Sequence, residues 1–133
     1  MILCKPDMAQ AIRDGRKTVT RRQGKKRWNV GSEHLCYTRP PFAKGGAKPV
    51  ARVRIVDVKR EKRPMNCTIG LIYGPGDPWM NVEARREGFR DDLSGRPTAW
   101  ESFWLTYRAI NGVACEDPCW RVEFELVEVL EAP

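Results

Sequence analysis

Residues 12–22 read IRDGRKTVTRR, and how this stretch is divided decides the fold. To its left a helix ends. PDMAQAIRDG, residues 6–15, puts Met8, Ala11 and Ile12 at i, i+3 and i+4, the spacing of one helical face. Pro6 suits a first helical turn, where the missing N–H costs nothing, and Gly15 suits the position just past the last turn. To its right Lys17-Thr18-Val19-Thr20-Arg21 alternates polar and β-branched residues, as a strand does. The basic character continues through a loop to Arg27, so residues 15–27 hold many cations and no acid. Such a segment is a solvated run, a phosphate-binding strand or part of a reactive site.

Working outward, ILC at 2–4 predicts a short strand and GKKRWNVG at 24–31 a flexible basic loop. EHLCYT, 33–38, predicts a strand with Leu35 and Tyr37 on one face. RPPFAKGGAKP, 39–49, is a Pro- and Gly-rich loop. VARVRIVDVKR, 50–60, is the clearest strand, with Ala51, Val53 and Ile55 on one side and Arg52, Arg54 and Val56 on the other. Charges placed so are common on edge strands, where they discourage unwanted pairing. GPGDPW, 74–79, predicts a turn, and NVEARREGF, 81–89, a short helix closed by Gly88. TAWESFWLTYRAING predicts a stronger helix: Thr98 and Glu101 form a capping box, and Asn111-Gly112 closes the end. Trp100, Phe103, Trp104, Tyr107 and Ile110 make its apolar stripe, which at this spacing signals core. CWRVEFELVEVL, 119–130, alternates with Trp120, Val122, Phe124 and Leu126 on one face, then slips at Val127, the mark of a bulge. Strands and helices do not alternate regularly, which argues against a doubly wound parallel sheet. The expected class is α+β: a small mixed β-barrel with two to three helices packed outside.

The 133 residues suit a single domain spanning 1–133. With 41% apolar residues and five Trp, a packed core is affordable despite 31% charge. No apolar run approaches the ~20 residues of a membrane helix, and the opening MILCKPDM lacks a secretory signal's features. The five cysteines, at 4, 36, 67, 115 and 119, follow no framework spacing, so free thiols in a cytoplasmic setting are expected. Residues 1–63 carry 18 Lys and Arg against 5 acids, whereas residues 64–133 carry 6 against 12. A half this basic attracts polyanions, and RNA, a nucleoside or a nucleotide is the expected partner.

Arg16, Arg21, Arg22, Lys25, Lys26 and Arg27 are the candidate phosphate contacts, with Trp28 beside them for base stacking, worth about 1–3 kcal/mol per stacked base. Tyr37 and Phe42 also lie among cations, although Tyr37 suits the core. Lys17 and Thr20 point to opposite faces of a regular strand and meet only if a bulge or turn intervenes. Neighbouring cations lower the pKa of Lys17, and a neutral Lys could take a proton from a Thr hydroxyl and make it a nucleophile. His34 and Cys36 with Cys115 and Cys119 could supply four zinc ligands, but the spacing is not that of a standard site. No metal or cofactor is expected.

The motif IRDGRKTVTRR resembles the signature of the ASCH family, small domains related to the PUA RNA-binding fold. WNVGSEHLCY, VARVRIVDV, EGF at 87–89, FWLTY and PCWRVEFE resemble the family's later elements, with weak stretches at 40–48 and 60–78. The resemblance implies a barrel with a cleft that binds RNA or nucleosides. One bacterial branch hydrolyses the acetyl amide of acetylcytidine with a Lys, a Thr and a Glu; another is reported as ribonucleases. The implied catalytic residues are Lys17 as base, Thr20 as nucleophile and Glu87, which orients Lys17 or the leaving amine. Family habit also suggests a bacterial or phage accessory protein. The insert at 39–49 and Arg22 depart from the amidohydrolase branch, and a single His34 serves a ribonuclease poorly. Glu87 also has a physical signature of its own. A carboxylate at a helix C-terminus opposes the dipole by up to about 1 kcal/mol, a cost that Lys17 or Arg21 opposite it would offset.

Overall fold

The computed structural model describes residues 1–40, 42, 46–66 and 74–130. The elements run β1 (Ile2–Leu3), α1 (Pro6–Arg13), β2 (Val19–Arg22), β3 (Glu33–Tyr37), β4 (Ala51–Glu61), α2 (Pro78–Arg86), α3 (Ala99–Asn111) and β5 (Cys119–Val129), with short 3-10 turns at Pro64–Asn66 and Gly112–Ala114. This is the expected α+β order. The strands form one mixed sheet in the order β1-β3-β4-β5-β2, parallel only between β1 and β3. The sheet curls as a half-barrel rather than closing. Its two edges come within reach of one side chain: Arg22 of β2 donates to the Leu3 carbonyl of β1 at 2.9 Å.

Alternation fills the inside of the curl. Ala51, Val53 and Ile55 of β4 and Val122 and Phe124 of β5 are buried with Ile12 of α1. The slip at Val127 is a β-bulge: Arg52 pairs with Glu128 and Val53 with Leu126, leaving Val127 unmatched. A second irregularity leaves Val56 of β4 unmatched between Ile55 and Asp57.

Three expectations need correction. β4 is a central strand, not an edge; Arg52 and Arg54 are tolerated there because they pair across the ladder with Glu128 and Glu125. On β3 the residue that reaches the core is Cys36, and Tyr37 stays half-buried because it stands on the other side of the pleat. GPGDPW is more than a turn, since Asp77 caps α2 by accepting from the Met80 N–H at 2.8 Å and Pro78 opens the helix. Cys67 and most of residues 41–45 lie outside the described residues; the other four cysteines are free thiols.

α2 and α3 pack as a separate apolar layer. Trp100, Phe103, Trp104 and Tyr107 form a run of rings, with successive centroids 5.4–6.5 Å apart. The Thr98–Glu101 capping box starts α3 as its sequence predicts. Ile110 falls off the stripe and is exposed.

Truncating Phe124, fully inside the curl, is expected to cost about 3–5 kcal/mol, whereas Val127→Ala on the half-exposed bulge should stay within about 0.5 kcal/mol. Urea denaturation of the two variants checks the contrast, and equal losses would mean the assigned register is wrong.

Candidate functional site

On the face of β2 and β5 opposite the curl's core, Arg21 and Arg121 stand side by side in register. Neither can reach solvent freely, because α2 covers them. The Arg21 side chain has no exposed surface. Its Nε donates to Glu61 Oε1 at 2.8 Å and its Nη2 to Glu61 Oε2 at 3.2 Å. Nη2 also donates to Glu83 Oε1 and Nη1 to Glu87 Oε2, both at 2.8 Å. Arg121 takes the rest of Glu83, at 2.7 and 3.3 Å, and reaches Glu123 at 3.0 Å. Burial opposes the charge of Arg21, but Glu87 and Glu61 outweigh it and raise the guanidinium pKa. Burial likewise pushes Glu83 up, yet the hydrogen bonds from Arg121 and Arg21 hold it down at about 2.

Lys17 joins this network from the coil between α1 and β2. Its Nζ donates to the carbonyls of Glu87 at 2.7 Å and Val19 at 2.8 Å, and lies 3.4 Å from Glu87 Oε1. Three N–H donors meet three acceptors, the pattern of an ammonium. The pKa is lowered first by burial, with Glu87 pulling the other way and the Arg22 charge adding a smaller push. Thus the like-charge effect expected from sequence is present but secondary to desolvation. Both cations proposed to answer Glu87 stand against it.

Gly88 makes this approach possible. Its φ of +101° is a glycine conformation, and a Cβ there would lie 3.0 Å from Met8 Sδ, 3.2 Å from Ala11 Cβ and 3.3 Å from Lys17 Cβ. The chain leaving α2 therefore presses against α1 and delivers Glu87 to Lys17.

Above this floor opens a cleft of about 740 Å³, within the range of small-molecule sites. It lies at the seam between the sheet edges, with β1 and the start of α1 on one side, β2 on another and α3 closing the third. Lys17, Thr20, Arg21 and Glu87 line it, as do Arg22, Arg27 and Trp28. The residues singled out in sequence thus separate into three groups. Lys17, Thr20 and Glu87 converge. Arg22 and Arg27 stand at the cleft, and Trp28 is a buried wall that also belongs to the core. Lys25 and Lys26 are exposed on the loop outside the lining, and Arg16 lies in a different pocket. Arg21 requires a correction: three carboxylates consume its charge and its side chain is sealed from solvent, so it positions Glu87 and has no free face for a phosphate.

Thr20 is buried in β2, and its hydroxyl accepts from Arg22 Nε at 3.1 Å. Among the described residues no hydrogen bond joins it to Lys17. His34 bonds to the Ser32 hydroxyl at 2.9 Å. Cys36 belongs to the core inside the curl, whereas Cys115 packs with α2 and α3. Burial pushes the Cys36 and Cys119 thiols up to about 12. No three His, Cys, Asp or Glu side chains gather as metal ligands among the described residues.

This architecture recurs in solved structures. A protein of family DUF984 from Enterococcus faecalis matches with a TM-score of 0.56 at 14% identity, over 99% of this chain and 82% of its own. ASCH from Zymomonas mobilis matches with a TM-score of 0.53 at 15% identity, over 98% and 71%. The chain has the ASCH fold. No family model matches its sequence, and no curated protein matches it significantly. The fold also places at the site residues that no local sequence pattern singled out for it. Glu61, Glu83 and Arg121 complete the network, and Lys5, Arg39, Tyr107 and Asn111 line the cleft. Glu83 lies in α2 and Glu87 caps its end four residues on, so their shared side was a signal in plain view.

Arg21→Met should cost about 3–5 kcal/mol at neutral pH, because Glu61 loses its guanidinium and Glu83 and Glu87 each lose one of their cations. Arg21 is one of the two cations that hold Glu83 down at about 2, so without it Glu83 should titrate closer to its ordinary value of 4.5. The share of the wild type's stability owed to Glu83 is whole above about 4.5 and lost as pH falls toward about 2, so the deficit of the variant should narrow over that window. Denaturation curves of both proteins across this range test the signs, and a pH-independent deficit would refute the assignment.

Proposed function

We propose that the cleft binds a nucleoside or nucleotide, free or as part of an RNA strand. One observation carries the reading: a cleft of nucleotide-compatible size joins an ionic floor to aromatic walls and a basic rim. Lys17, Thr20 and Glu87 form the floor, Trp28, Phe103 and Tyr107 offer ring surface, and Lys5, Arg22, Arg27 and Arg39 supply cations. Such a set suits a ligand with a flat, hydrogen-bonding base and an anionic backbone. Among the described residues Lys5 and Arg27 have no ion pair, so their charge is available to a phosphate. Similarity to ASCH from Zymomonas mobilis supports the fold on which this reading rests.

A second reading makes the site an amidohydrolase acting on acetylcytidine. It is favoured by the burial that lowers the Lys17 pKa, and by Lys17, Thr20 and Glu87 lining one space. In that reaction the Thr20 hydroxyl attacks the acetyl carbonyl, its proton passes to a neutral Lys17, and the cytosine amine leaves with a proton. Water then hydrolyses the acyl-Thr20 to acetate. The geometry at hand weighs toward binding: Lys17 is held by two carbonyls and a carboxylate, and the Thr20 hydroxyl is engaged by Arg22. Chemistry would need substrate to release both. A ribonuclease has less support, because His34 does not line the cleft.

Calorimetry with cytidine, cytidine monophosphate and a short single-stranded RNA tests the binding reading. Arg27→Ala and Lys5→Ala should weaken the phosphorylated ligands about tenfold together and leave cytidine nearly unaffected. Unchanged affinity in both variants would defeat it. Acetate release from acetylcytidine by the wild type, abolished in Lys17→Met, would instead establish the hydrolase; no turnover in the wild type would remove it.

A further inference from the structure

A second pocket, about 560 Å³, shares Phe89 with the cleft and lies against the end of α2. Four arginines line it and one acid does: Arg16, Arg85, Arg86 and Arg90 with Asp91. They arrive from three places in the chain, the coil after α1, the last turn of α2 and the segment following it. Their existing bonds differ. Arg85 is fixed by Asp91 at 2.8 and 3.0 Å. Arg86 is shared among Glu123 at 3.1 Å, Thr18 Oγ1 at 3.4 Å and Glu83 at 3.5 Å. These two also answer the negative end of the α2 dipole, which alone would repel an anion. Arg16 and Arg90 remain as surplus. Among the described residues Arg16 has only long contacts, 3.4 Å to the Gly88 carbonyl and 3.6 Å to Asp14, and its buried Nε–H has no acceptor. Arg90 is exposed and has no ion pair among the described residues.

A buried N–H without an acceptor is costly unless something accepts from it. Guanidinium groups brought together without matching carboxylates call for an oxyanion, and their forked donors fit the oxygens of a phosphate. We infer that this pocket is a phosphate subsite, with Arg16 and Arg90 as its ligands and Arg85 and Arg86 as fixed positive background. The phosphate is that of a free phosphomonoester or of a polynucleotide backbone continuing past Phe89 from the cleft. Only that continuity rests on the proposed function; the subsite does not.

NMR of the arginine Nε–H signals, with inorganic phosphate as probe, is the direct test. Phosphate should shift the Arg16 and Arg90 resonances in the wild type, and Arg90→Gln, which removes an exposed and unpaired side chain, should abolish the Arg16 shift. Wild-type signals that do not move, or an Arg16 shift that survives Arg90→Gln, would overturn the inference. Calorimetry then identifies the source. If a strand crosses the pocket, Arg16→Gln with Arg90→Gln should weaken a short single-stranded RNA about tenfold and flatten its salt dependence by about 0.7 per charge removed, with cytidine affinity unchanged. Phosphate shifts with undiminished RNA affinity support a site for free phosphomonoesters. Loss of RNA binding in Arg27→Ala alone, with no phosphate shift, would defeat the subsite and leave the cleft standing.

Discussion

The guanidinium of Arg21 has no exposed atom and three carboxylates around it. An isolated buried charge of this kind is not tolerable, so the geometry of everything nearby is constrained by the need to neutralise it. Glu61 reaches it from β4, and Glu83 and Glu87 from α2. The sheet and the helical layer are therefore joined by an ionic layer. With Lys17 and Arg121 the buried groups balance, three cations against the three carboxylates. Ionic contacts are directional where apolar ones are not, so the network fixes α2 at one place over the sheet. That place puts Glu87 beside Lys17 at the foot of the cleft.

The same pairing explains what becomes of the uneven charge along the chain. Cations of the first half meet acids of the second across the fold: Arg21 with Glu83 and Glu87, Arg52 with Glu128, Arg54 with Glu125. A basic half thus does not translate directly into a basic face. Part of what is left over is local: Lys5 and Arg27 stand at the cleft and Arg16 at the pocket behind Phe89, where Arg90 of the second half joins it. These remnants, more than the total of +7, carry the expectation of an anionic ligand.

Much of this was legible in the residues. The helix ending at Gly15, the capping box at Thr98, the inward set Ala51, Val53 and Ile55, and the bulge at Val127 all follow from local rules, and the structure keeps them. The partners of Glu87 could be named because a carboxylate at a helix C-terminus needs a cation. What could not be read depends on contacts distant along the chain. Nothing local reveals that β4 sits in the middle of the sheet, since Arg52 and Arg54 look like edge residues until Glu128 and Glu125 are placed opposite. Arg21 looked like a solvent-facing member of a basic run for the same reason: its three partners lie 40 to 66 residues away.

Strand order has one more consequence. β5 lies between β4 and β2, so the edge strand that bears Thr20 and Arg21 has no backbone partner until residues 119–129 exist. During synthesis on a ribosome, the early segment emerges with its cations uncompensated and its strand unpaired. Acids that neutralise Arg21 come next, and the ladder that holds β2 comes last. Assembly must therefore wait, the cleft being among the final parts to take shape, and in that interval the nascent polycation is open to attraction by any anionic surface nearby.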